Sequence, residues 1–463
     1  MFVIFGIAAM LAFLYVRPHE IFEWMRWLTF PLVLGIVIVG YVLDIASGVT
    51  RPPRMSLLVG VGLTFFGWAL LSVAISAPDM LGESIPYLVA PAALFLAMAL
   101  GVQTLRAFDT VAKVLLAITM LIVFVAIEQG FSPRVCIANS ASDDAVGDVV
   151  PLLDSEGKVH PCQSRSDCSA ADLDSEEFEC ERIGLMRTRS DGGRVRYIGI
   201  FQDPNELACA TSISLPFVFM WFDDDRGRGR RLLRRVAQIV VLIASMLCNV
   251  MTQSRSGQIS LVATMGVYFL RRFGMRGAVV GAVLAIPVLL FGGRSDEAST
   301  QERLECWAEA LSMWREHPVI GIGAKQFGNH YYLTAHNSAL LALSEMGPVG
   351  FLLWTVVLYI AFKTTLQVQR DFASRPEAAD VRSAAFATLA GMVGMVASAL
   401  FLSLTYHLVF WLEVGLAAAL QTLIWRHDPN WRLRWRWRDL MLIIGLDLGT
   451  VVSIAIYLRL KGI

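Results

Sequence analysis

Two side chains in the sequence have types that could carry chemistry, His336 and Arg255. An imidazole titrates at about pH 6.5, so the neutral form of His336 can accept a proton from an attacking hydroxyl group. The guanidinium group of Arg255 offers paired hydrogen-bond donors that match phosphate oxygens and stabilise charge on a leaving group. Together these residue types are compatible with a general base and a binding group for a phosphate-bearing substrate.

Each candidate residue also has a purely structural interpretation. His336 stands where the polar stretch "TAHN" meets an apolar run, and it can simply hydrogen-bond a neighbouring backbone group there. Arg255 lies in a loop of about five residues between two apolar runs and can extend towards water. Arg303 precedes Trp307 by one helical turn, which favours a cation–π contact on a helix surface. The residue types alone leave both interpretations open.

The elements that must position these groups are membrane helices. Of the 463 residues, 56% are hydrophobic and only 17% are charged, which excludes an ordinary soluble protein. Apolar runs long enough to cross about 30 Å of hydrocarbon recur along the chain. The sequence predicts an all-α polytopic transmembrane helix bundle of about 13 (12–13) spans. The predicted spans lie near residues 2–16, 28–46, 56–76, 84–102, 108–127, 206–222, 236–251, 257–270, 277–292, 347–363, 384–403, 406–424 and 440–458.

Basic residues indicate the orientation of these spans. The positive-inside rule assigns the basic loops to the cytoplasm, together with the N-terminus. Two long loops, 128–205 and 293–346, then lie on the extracytoplasmic side. The arginine-rich loop 426–438 stands between two spans, which favours an anchor to anionic membrane lipid, so we expect no nucleic acid as a partner. The loops assigned to the cytoplasm are 51–54, 223–235, 271–276, 363–383 and 426–438.

We expect four segments in the chain. Residues 1–127 form the N-terminal membrane spans, and residues 128–205 form an extracytoplasmic cysteine-containing loop. Residues 206–424 form a membrane core that includes the second extracytoplasmic loop, 293–346. Residues 425–463 contain a basic cytoplasmic loop and the last span.

Four of the seven cysteines lie in the first long loop. An even number on an oxidising side of the membrane predicts two disulfides, with three possible pairings. A zinc site is the alternative, but the spacing lacks the paired C-x-x-C motif of such sites, so we expect no metal. The disulfide candidates are Cys136, Cys162, Cys168 and Cys180.

The second long loop contains an amphipathic pattern. Ser299 followed by Glu302 predicts a capping box at the start of a helix that ends at His317-Pro318. Its apolar residues recur at helical spacing, which predicts a helix lying on the membrane surface. Gly321 and Gly323 then predict a turn with a close backbone approach. The apolar residues are Leu304, Trp307, Leu311 and Trp314.

The stretch "FQDPNELA" precedes a predicted span. Asp203 and Asn205 surround Pro204, an arrangement typical of a helix start. Local capping and contact with a substrate are both compatible with these residue types.

At these residues the sequence resembles the O-antigen ligase and O-antigen polymerase superfamily of bacterial membrane glycosyltransferases. The similarity covers about residues 200–410, and no motif of the family falls in the first five spans or among the cysteines of the first long loop. The corresponding motifs are "FQDPNELA" (201–208), "TQSRSG" (252–257), Arg303 with Trp307, "HPVIGIGAKQF" (317–327) and "HNSALLALSEMGPVG" (336–350).

The resemblance implies a function in lipopolysaccharide or exopolysaccharide assembly. Members of the family transfer a glycan from undecaprenyl diphosphate to an acceptor hydroxyl at the outer face of the bacterial inner membrane. They are inverting enzymes that use no metal, nucleotide sugar or other cofactor. By this resemblance His336 is the catalytic base, with Asn337 beside it. Arg255 and Arg303 bind the diphosphate, although Arg294 is close enough in sequence to replace Arg303.

Several alternatives remain open at this level. A polysaccharide flippase or secondary transporter also needs many spans, but it predicts internal repeats and polar groups at mid-membrane depth. A structural anchor for the cysteine loop would explain neither Arg255 nor His336. The acceptor could be lipid A core, another glycan repeat or a protein hydroxyl, and the long cysteine loop departs from a compact ligase.

Overall fold

The structure, a computed structural model, describes residues 2–52, 54–138, 158–168, 178–222, 228–291 and 297–463. The described chain is predominantly helical, which confirms the predicted all-α polytopic bundle. Arg294 and part of the basic loop 223–235 lie outside the described residues.

Within the described residues the chain forms sixteen α-helices and one pair of β-strands. The helices are α1 (Phe2–Val16), α2 (Pro18–Ile21), α3 (Phe30–Ala46), α4 (Leu57–Ser76), α5 (Leu81–Gly101), α6 (Leu105–Phe131), α7 (Pro204–Ser214), α8 (Pro216–Phe222), α9 (Arg228–Met251), α10 (Arg255–Phe291), α11 (Glu297–Glu316), α12 (Phe327–His330), α13 (Ser338–Asp371), α14 (Ala379–Ala399), α15 (Leu408–His427) and α16 (Trp437–Lys461). The strands are β1 (Arg134–Ala138) and β2 (Phe178–Arg182).

Eight helical segments of the described chain are long and apolar enough to cross a membrane. Two shorter apolar helices, α1 and α3, correspond to the first two predicted spans. The number of spans therefore stays a prediction. The eight segments are Leu57–Ser76, Pro78–Gly101, Leu105–Phe131, Leu232–Met251, Ser338–Asp371, Pro376–Ala399, Leu408–Arg426 and Trp437–Lys461.

Two predicted boundaries differ in the structure. The predicted span 206–222 is divided into α7 and α8, and α8 begins at Pro216, which has no amide hydrogen to continue the α7 ladder. The predicted spans 257–270 and 277–292 form the single element α10, interrupted at Gly274 with φ of 62°. The two predicted spans thus correspond to two helical parts that meet at Gly274, without a longer loop between them.

The described chain divides into two compact units. Unit 1 comprises Met1–Ile7, Ile36–Val111 and Ser295–Ile463. Unit 2 comprises Ala8–Gly35 and Ala112–Arg294.

Unit 1 has an aromatic core at the start of α15. The indole of Trp411 is fully buried, and its ring centroid lies 4.3 Å from that of Phe66 and 5.4 Å from that of Phe95. Its Nε1 donates a hydrogen bond to the carbonyl oxygen of Thr405 at 3.0 Å. The core therefore fixes α4 and α5 against α15 and ties down the loop that precedes α15.

The amphipathic helix α11 belongs to unit 1 and begins earlier than expected. It starts at Glu297, so the predicted capping box is wrong, because Ser299 lies inside the first turn. The apolar face packs against α13 and α16, with Leu304 and Leu311 buried. The helix ends at Glu316, directly before the predicted His-Pro stop.

Unit 2 places α7 against the start of α10. A Cβ added at Gly257 would lie 2.2 Å from the Cβ of Ala208, so only glycine permits this approach. Ser212 of α7 donates a hydrogen bond to the carbonyl oxygen of Gly257 at 3.3 Å. Glycine and a small hydroxyl side chain thus let the two helices pack closely.

Candidate functional site

His336 lies in a short turn of unit 1 that we call the histidine turn, residues 331–337, between α12 and α13. Ser403, in the loop between α14 and α15, accepts two hydrogen bonds from this turn through its Oγ. The donors are the Thr334 hydroxyl at 2.7 Å and the backbone amide of His336 at 3.1 Å. One serine thus fixes the backbone on which the candidate base stands.

The residues after His336 hold the turn to the same loop. Asn337 caps α13: its Oδ1 accepts the amides of Ala339 and Leu340 at 3.0 and 3.1 Å. Its Nδ2 donates to the carbonyl oxygen of Leu400 at 3.2 Å. Asn337 is therefore a structural support for the turn, since both ends of its side chain bind backbone groups.

Ser338 adds a third connection between the turn and the α14–α15 loop. Its hydroxyl donates to the carbonyl oxygen of Leu402 at 2.6 Å and accepts the amide of Leu404 at 2.8 Å. Thr405 donates from its hydroxyl to the carbonyl oxygen of Ser338 at 2.8 Å. The start of α13 is thereby locked on both sides.

The backbone of His336 itself is strained. Its φ is 48°, in the left-handed region that side-chain-bearing residues rarely adopt. Such a conformation costs about 1–2 kcal/mol and persists only where the surroundings impose it, often at functional sites. The imidazole is half-buried, so the turn directs a partly accessible histidine from a rigid backbone.

A second turn of unit 1, the glycine turn (residues 317–326), packs against the middle of α13. Gly321 has φ of 80°, and a Cβ there would lie 2.4 Å from the backbone carbon of Glu345. The amide of Gly323 donates to the carbonyl oxygen of Glu345 at 2.9 Å. Gly347 breaks α13 at this point with φ of 65°. The predicted close backbone approach of the two glycines is thus present in the structure.

The carboxylate of Glu345 organises the end of the glycine turn. One oxygen accepts the amide of Lys325 and the other accepts the amide of Phe327, each at 2.9 Å. The side chain is 1% exposed. Backbone amides therefore replace the water that a buried carboxylate loses.

One face of α4 completes this arrangement. Trp68, Ser72 and Ser76 recur every four residues and so share that face. Trp68 donates from Nε1 to the carbonyl oxygen of Met346 at 2.9 Å, and Ser76 donates to that of Gly321 at 2.7 Å. Ser72 accepts the amide of the residue after Gly323 at 3.1 Å. A polar stripe on a membrane helix thus supports both the glycine turn and the break in α13.

Tyr406 lies in the same region. Burial, followed by the nearby Glu345 carboxylate, raises the pKa of Tyr406 well above its usual range. The phenol therefore keeps its proton at physiological pH.

The predicted second arginine lies on α11. Arg303 and Trp307 are both half-buried, one helical turn apart. In the part of the chain that the structure describes, the buried Nε1 of Trp307 has no hydrogen-bond partner. Because α11 packs against α13, the Arg303 to Trp307 pair belongs to the same unit as the histidine turn.

Arg255 belongs to unit 2, at the first position of α10. Ser254 caps the helix by accepting the amide of Gly257 at 3.0 Å, and Gln253 before it has φ of 49°. The guanidinium side chain of Arg255 is exposed. A rigid helix start thus presents an accessible cation, beside the positive end of the helix dipole.

Arg194 connects this helix start to the "FQDPNELA" stretch within unit 2. Its Nε donates to the carbonyl oxygen of Thr252 at 3.0 Å, and its Nη2 donates to Oδ1 of Asn205 at 3.2 Å. Asp203 caps α7 by accepting both the backbone amide and the side-chain amide of Asn205 at 2.8 Å. Asp203 and Asn205 therefore serve as a helix cap and as a link to the turn before Arg255.

The environment of Asp203 shifts its titration. Burial, together with the charge of Glu206, raises the pKa of Asp203 to about 6, although the Asn205 amide acts in the opposite direction. This carboxyl group therefore changes charge near neutral pH, unlike an ordinary aspartate.

The four cysteines of the first long loop form two disulfides in unit 2, Cys136–Cys168 and Cys162–Cys180. Cys136 and Cys180 face each other across the antiparallel pair of β1 and β2, yet each bonds to a cysteine outside that register. The sulfurs of Cys136, Cys162 and Cys168 lie within 4.8 Å of one another. As disulfides these sulfurs offer no thiolate to a metal ion.

Residues 239–355 match the protein family described as O-Antigen ligase. This segment of the chain is similar to an O-antigen ligase domain. The match confirms the predicted resemblance to the O-antigen ligase superfamily. This family supports the interpretation of the protein as a glycosyltransferase-like membrane enzyme. The matched segment contains Arg255, Arg303 and His336. No curated protein matches the chain.

Sequence reasoning missed the residues that position the candidate site. Glu345 could have been found, because a carboxylate in an apolar run is costly in lipid and indicates a specific partner. The polar stripe on α4 also has a helical period that a search for buried polar residues could find. Ser403 carries no such signal, since a lone serine near a helix end is common. Arg194 also carries no such signal, because the sequence does not distinguish it from the other basic residues of the cysteine loop.

Proposed function

We propose that the protein transfers a glycan from undecaprenyl diphosphate to an acceptor hydroxyl group. In this proposal the imidazole of His336 removes the hydroxyl proton as the oxygen attacks the anomeric carbon. The bond from that carbon to the diphosphate breaks, and the leaving diphosphate takes the electron pair. The chemistry inverts the anomeric centre and needs no metal or other cofactor.

Arg255 and Arg303 are proposed to bind the diphosphate. Guanidinium groups form bidentate hydrogen bonds with phosphate oxygens and stabilise the charge that develops on the leaving group. Arg255 begins α10 and Arg303 lies within α11, so each side chain projects from a helix of fixed geometry, which supports such a role. Arg255 adds its charge to a helix start, where anions are favoured.

The observation that carries the proposal is the family match together with the histidine turn. The match includes His336, whose backbone is strained and donates its amide hydrogen to Ser403. The next two residues, Asn337 and Ser338, hydrogen-bond the backbone of the α14–α15 loop. A residue that only began a helix would need no such strain, since Asn337 already caps α13. Strain that is held in place by neighbours is typical of positions where a side chain must point in one direction.

We further propose that the reaction takes place on the extracytoplasmic side of the bacterial inner membrane, in lipopolysaccharide or exopolysaccharide assembly. The positive-inside pattern supports this orientation, because the basic loops 51–54 and 426–438 lie at the opposite end of α15 from the histidine turn. A helix of 20 residues is about 30 Å long, the thickness of the hydrocarbon core.

The experiment uses purified full-length protein in nanodiscs with undecaprenyl-diphosphate oligosaccharide, and it measures release of undecaprenyl diphosphate. Lipid A core and free repeat units serve as separate acceptors. We expect turnover with one acceptor, which separates ligase from polymerase. We expect His336→Ala to reduce turnover by about 100-fold or more, as loss of a general base does. Arg255→Ala and Arg303→Ala should weaken the apparent donor affinity.

His407→Asn is the matched control. His407 caps α15 by accepting the amide of Val409 at 3.3 Å, and asparagine preserves that cap. Wild-type turnover in this variant, with loss in His336→Ala, supports the proposal. Absence of turnover with every acceptor, combined with movement of lipid-linked glycan across vesicles in the wild type and both variants, would instead establish a transporter.

A further inference from the structure

An open, solvent-facing pocket lies in unit 1 at the end of α15 that is remote from the histidine turn. Its lining includes three arginines, Arg51, Arg54 and Arg426, together with Gln103 and Trp425. None of the residues that line it is acidic. The proposed transfer reaction does not use this pocket.

Gln103 builds the pocket from its buried side chain, which is 4% exposed. Its Nε2 donates to the carbonyl oxygen of Arg51, and its Oε1 accepts the amide of Arg51, both at 2.9 Å. The same Oε1 accepts a hydrogen bond from Nη2 of Arg426 at 3.4 Å. One buried amide thus binds the backbone of Arg51 and the guanidinium group of Arg426, which come from distant parts of the sequence.

The third arginine is held differently. The guanidinium carbon of Arg54 lies 6.0 Å from the ring centroid of Trp425, a cation–π distance. The three like charges around one open pocket repel one another, and the lining supplies no carboxylate to offset them. An anion bound between them would remove this repulsion.

We propose that this pocket binds a phosphate group, and that the phosphate is the phosphodiester of an anionic phospholipid headgroup. Guanidinium groups bind phosphate oxygens through paired donors. The pocket lies at the ends of the apolar helices α5 and α15, next to the first residues of α4, so it is at the level of lipid headgroups. Trp425 beside it is a residue type enriched at that level. By the proposed orientation this is the cytoplasmic leaflet, where anionic lipids attract basic residues.

The test measures binding of phosphatidylglycerol and of phosphatidylcholine to the purified full-length protein by native mass spectrometry. We expect the wild type to prefer phosphatidylglycerol. The double variant Arg51→Gln/Arg426→Gln should bind it about 25-fold more weakly, at about 5-fold for each arginine near a headgroup. Arg106→Gln is the matched control: this exposed arginine lies in the first turn of α6, three residues after Gln103, but does not line the pocket.

Two further arms make the result decisive. Arg51→Lys/Arg426→Lys keeps the charge but loses the paired donors, so its affinity should lie between those of the wild type and the glutamine variant. Should the double variant fail to fold, Arg54→Gln removes a charge outside the Gln103 network and should weaken binding about 5-fold. Inorganic phosphate alone identifies the source: a thermal shift that the glutamine variant lacks, without lipid preference, would assign the pocket to free phosphate.

The inference is overturned if the wild type binds both lipids equally and shows no shift with phosphate. It is also overturned if the folded glutamine variants retain wild-type binding. Since the assay needs no glycan transfer, its failure is distinguishable from failure of the proposed function.

Discussion

The two long loops of the protein are stabilised in different ways. The cysteine loop, residues 128–205, is held by two disulfides and a two-stranded antiparallel sheet, all within unit 2. The segment 293–346, whose last residues form the start of α13, contains no disulfide in its described residues. Its two turns are fixed by Glu345 of α13, by Ser403 and by the stripe on α4. The family match includes the second loop and excludes the first.

The difference indicates where each loop derives its rigidity. Disulfides stabilise a loop locally, chiefly by restricting its unfolded state, whatever its neighbours do. Hydrogen bonds to membrane helices instead fix the position of a turn relative to those helices. A proton-transfer site needs positions accurate to a fraction of an ångström, which the second arrangement can supply. The candidate chemistry therefore lies where the loop is coupled to the helices.

The largest stability effect is expected at Gly321, where the second loop meets α13. Gly321→Ala would place a Cβ 2.4 Å from the Glu345 backbone, at a φ of 80° that alanine disfavours. Because backbone cannot yield as a side chain does, we expect a loss of about 4 kcal/mol, seen as a lower thermal midpoint. Gly328→Ala is the matched control, since nothing lies within 4 Å of its added Cβ. Equal midpoints for the two variants would contradict the close packing.

The next effect concerns the cysteine loop. Cys162→Ser/Cys180→Ser opens a bridge between residues 18 apart, and loop entropy predicts a cost of about 3 kcal/mol. Protease sensitivity should rise within residues 128–205, while glycan-transfer activity per folded molecule should stay within about twofold, because this disulfide lies outside the family match. A loss of activity comparable to that of His336→Ala would instead make the cysteine loop part of the chemistry.

A smaller effect is expected from Glu345→Gln. Each oxygen of the carboxylate accepts one backbone amide. In glutamine one oxygen is replaced by an amide nitrogen, which cannot accept a hydrogen bond. One buried backbone amide then has no acceptor, which should lower the free energy of unfolding by about 2 kcal/mol. Turnover should also fall, because the glycine turn is displaced. The control is Glu413→Gln on α15, whose carboxylate oxygens are buried without a hydrogen-bond partner among the described residues. An equal loss in both variants would remove the special role of Glu345.

The smallest effect is a pH dependence in unit 2. Burial and Glu206 raise the pKa of Asp203 to about 6, so the folded state holds its proton more tightly than the unfolded state. That stabilisation is present below about pH 4 and is lost as the pH rises to about 6. Asp203→Asn keeps the helix cap but does not titrate. Relative to this variant, the free energy of unfolding of the wild type should fall by about 1–2 kcal/mol over this pH range. Thermal midpoints that stay parallel from pH 4 to pH 7 would contradict the shift.

The helical fold could be predicted from the sequence because apolar runs of membrane length have few alternatives. The errors arose where backbone rules compete with hydropathy. Pro216 divides one apolar run, and two predicted spans meet at Gly274 with only a short break where a loop was expected. Ser299 carried the pattern of a cap, yet the helix begins before it. Local capping patterns cannot exclude an earlier start.

The candidate site could be predicted only in part. His336 and Arg255 were proposed as site residues because their side chains can carry out chemistry and their motifs resemble those of a family, and their roles stay predictions. Glu345 and Ser403 were missed, since their roles depend on contacts between residues far apart in sequence. The pairing of the four cysteines could not be read from the sequence either, because it depends on how the loop folds.

The central claim is that His336 is the base of glycan transfer rather than a structural residue. The most direct measurement compares turnover and thermal midpoint in one preparation of His336→Gly. Glycine accepts a φ of 48° without strain, so the account predicts an unchanged or higher midpoint together with a loss of turnover of about 100-fold or more. Retained turnover, or a loss that merely follows a lower midpoint, would contradict it.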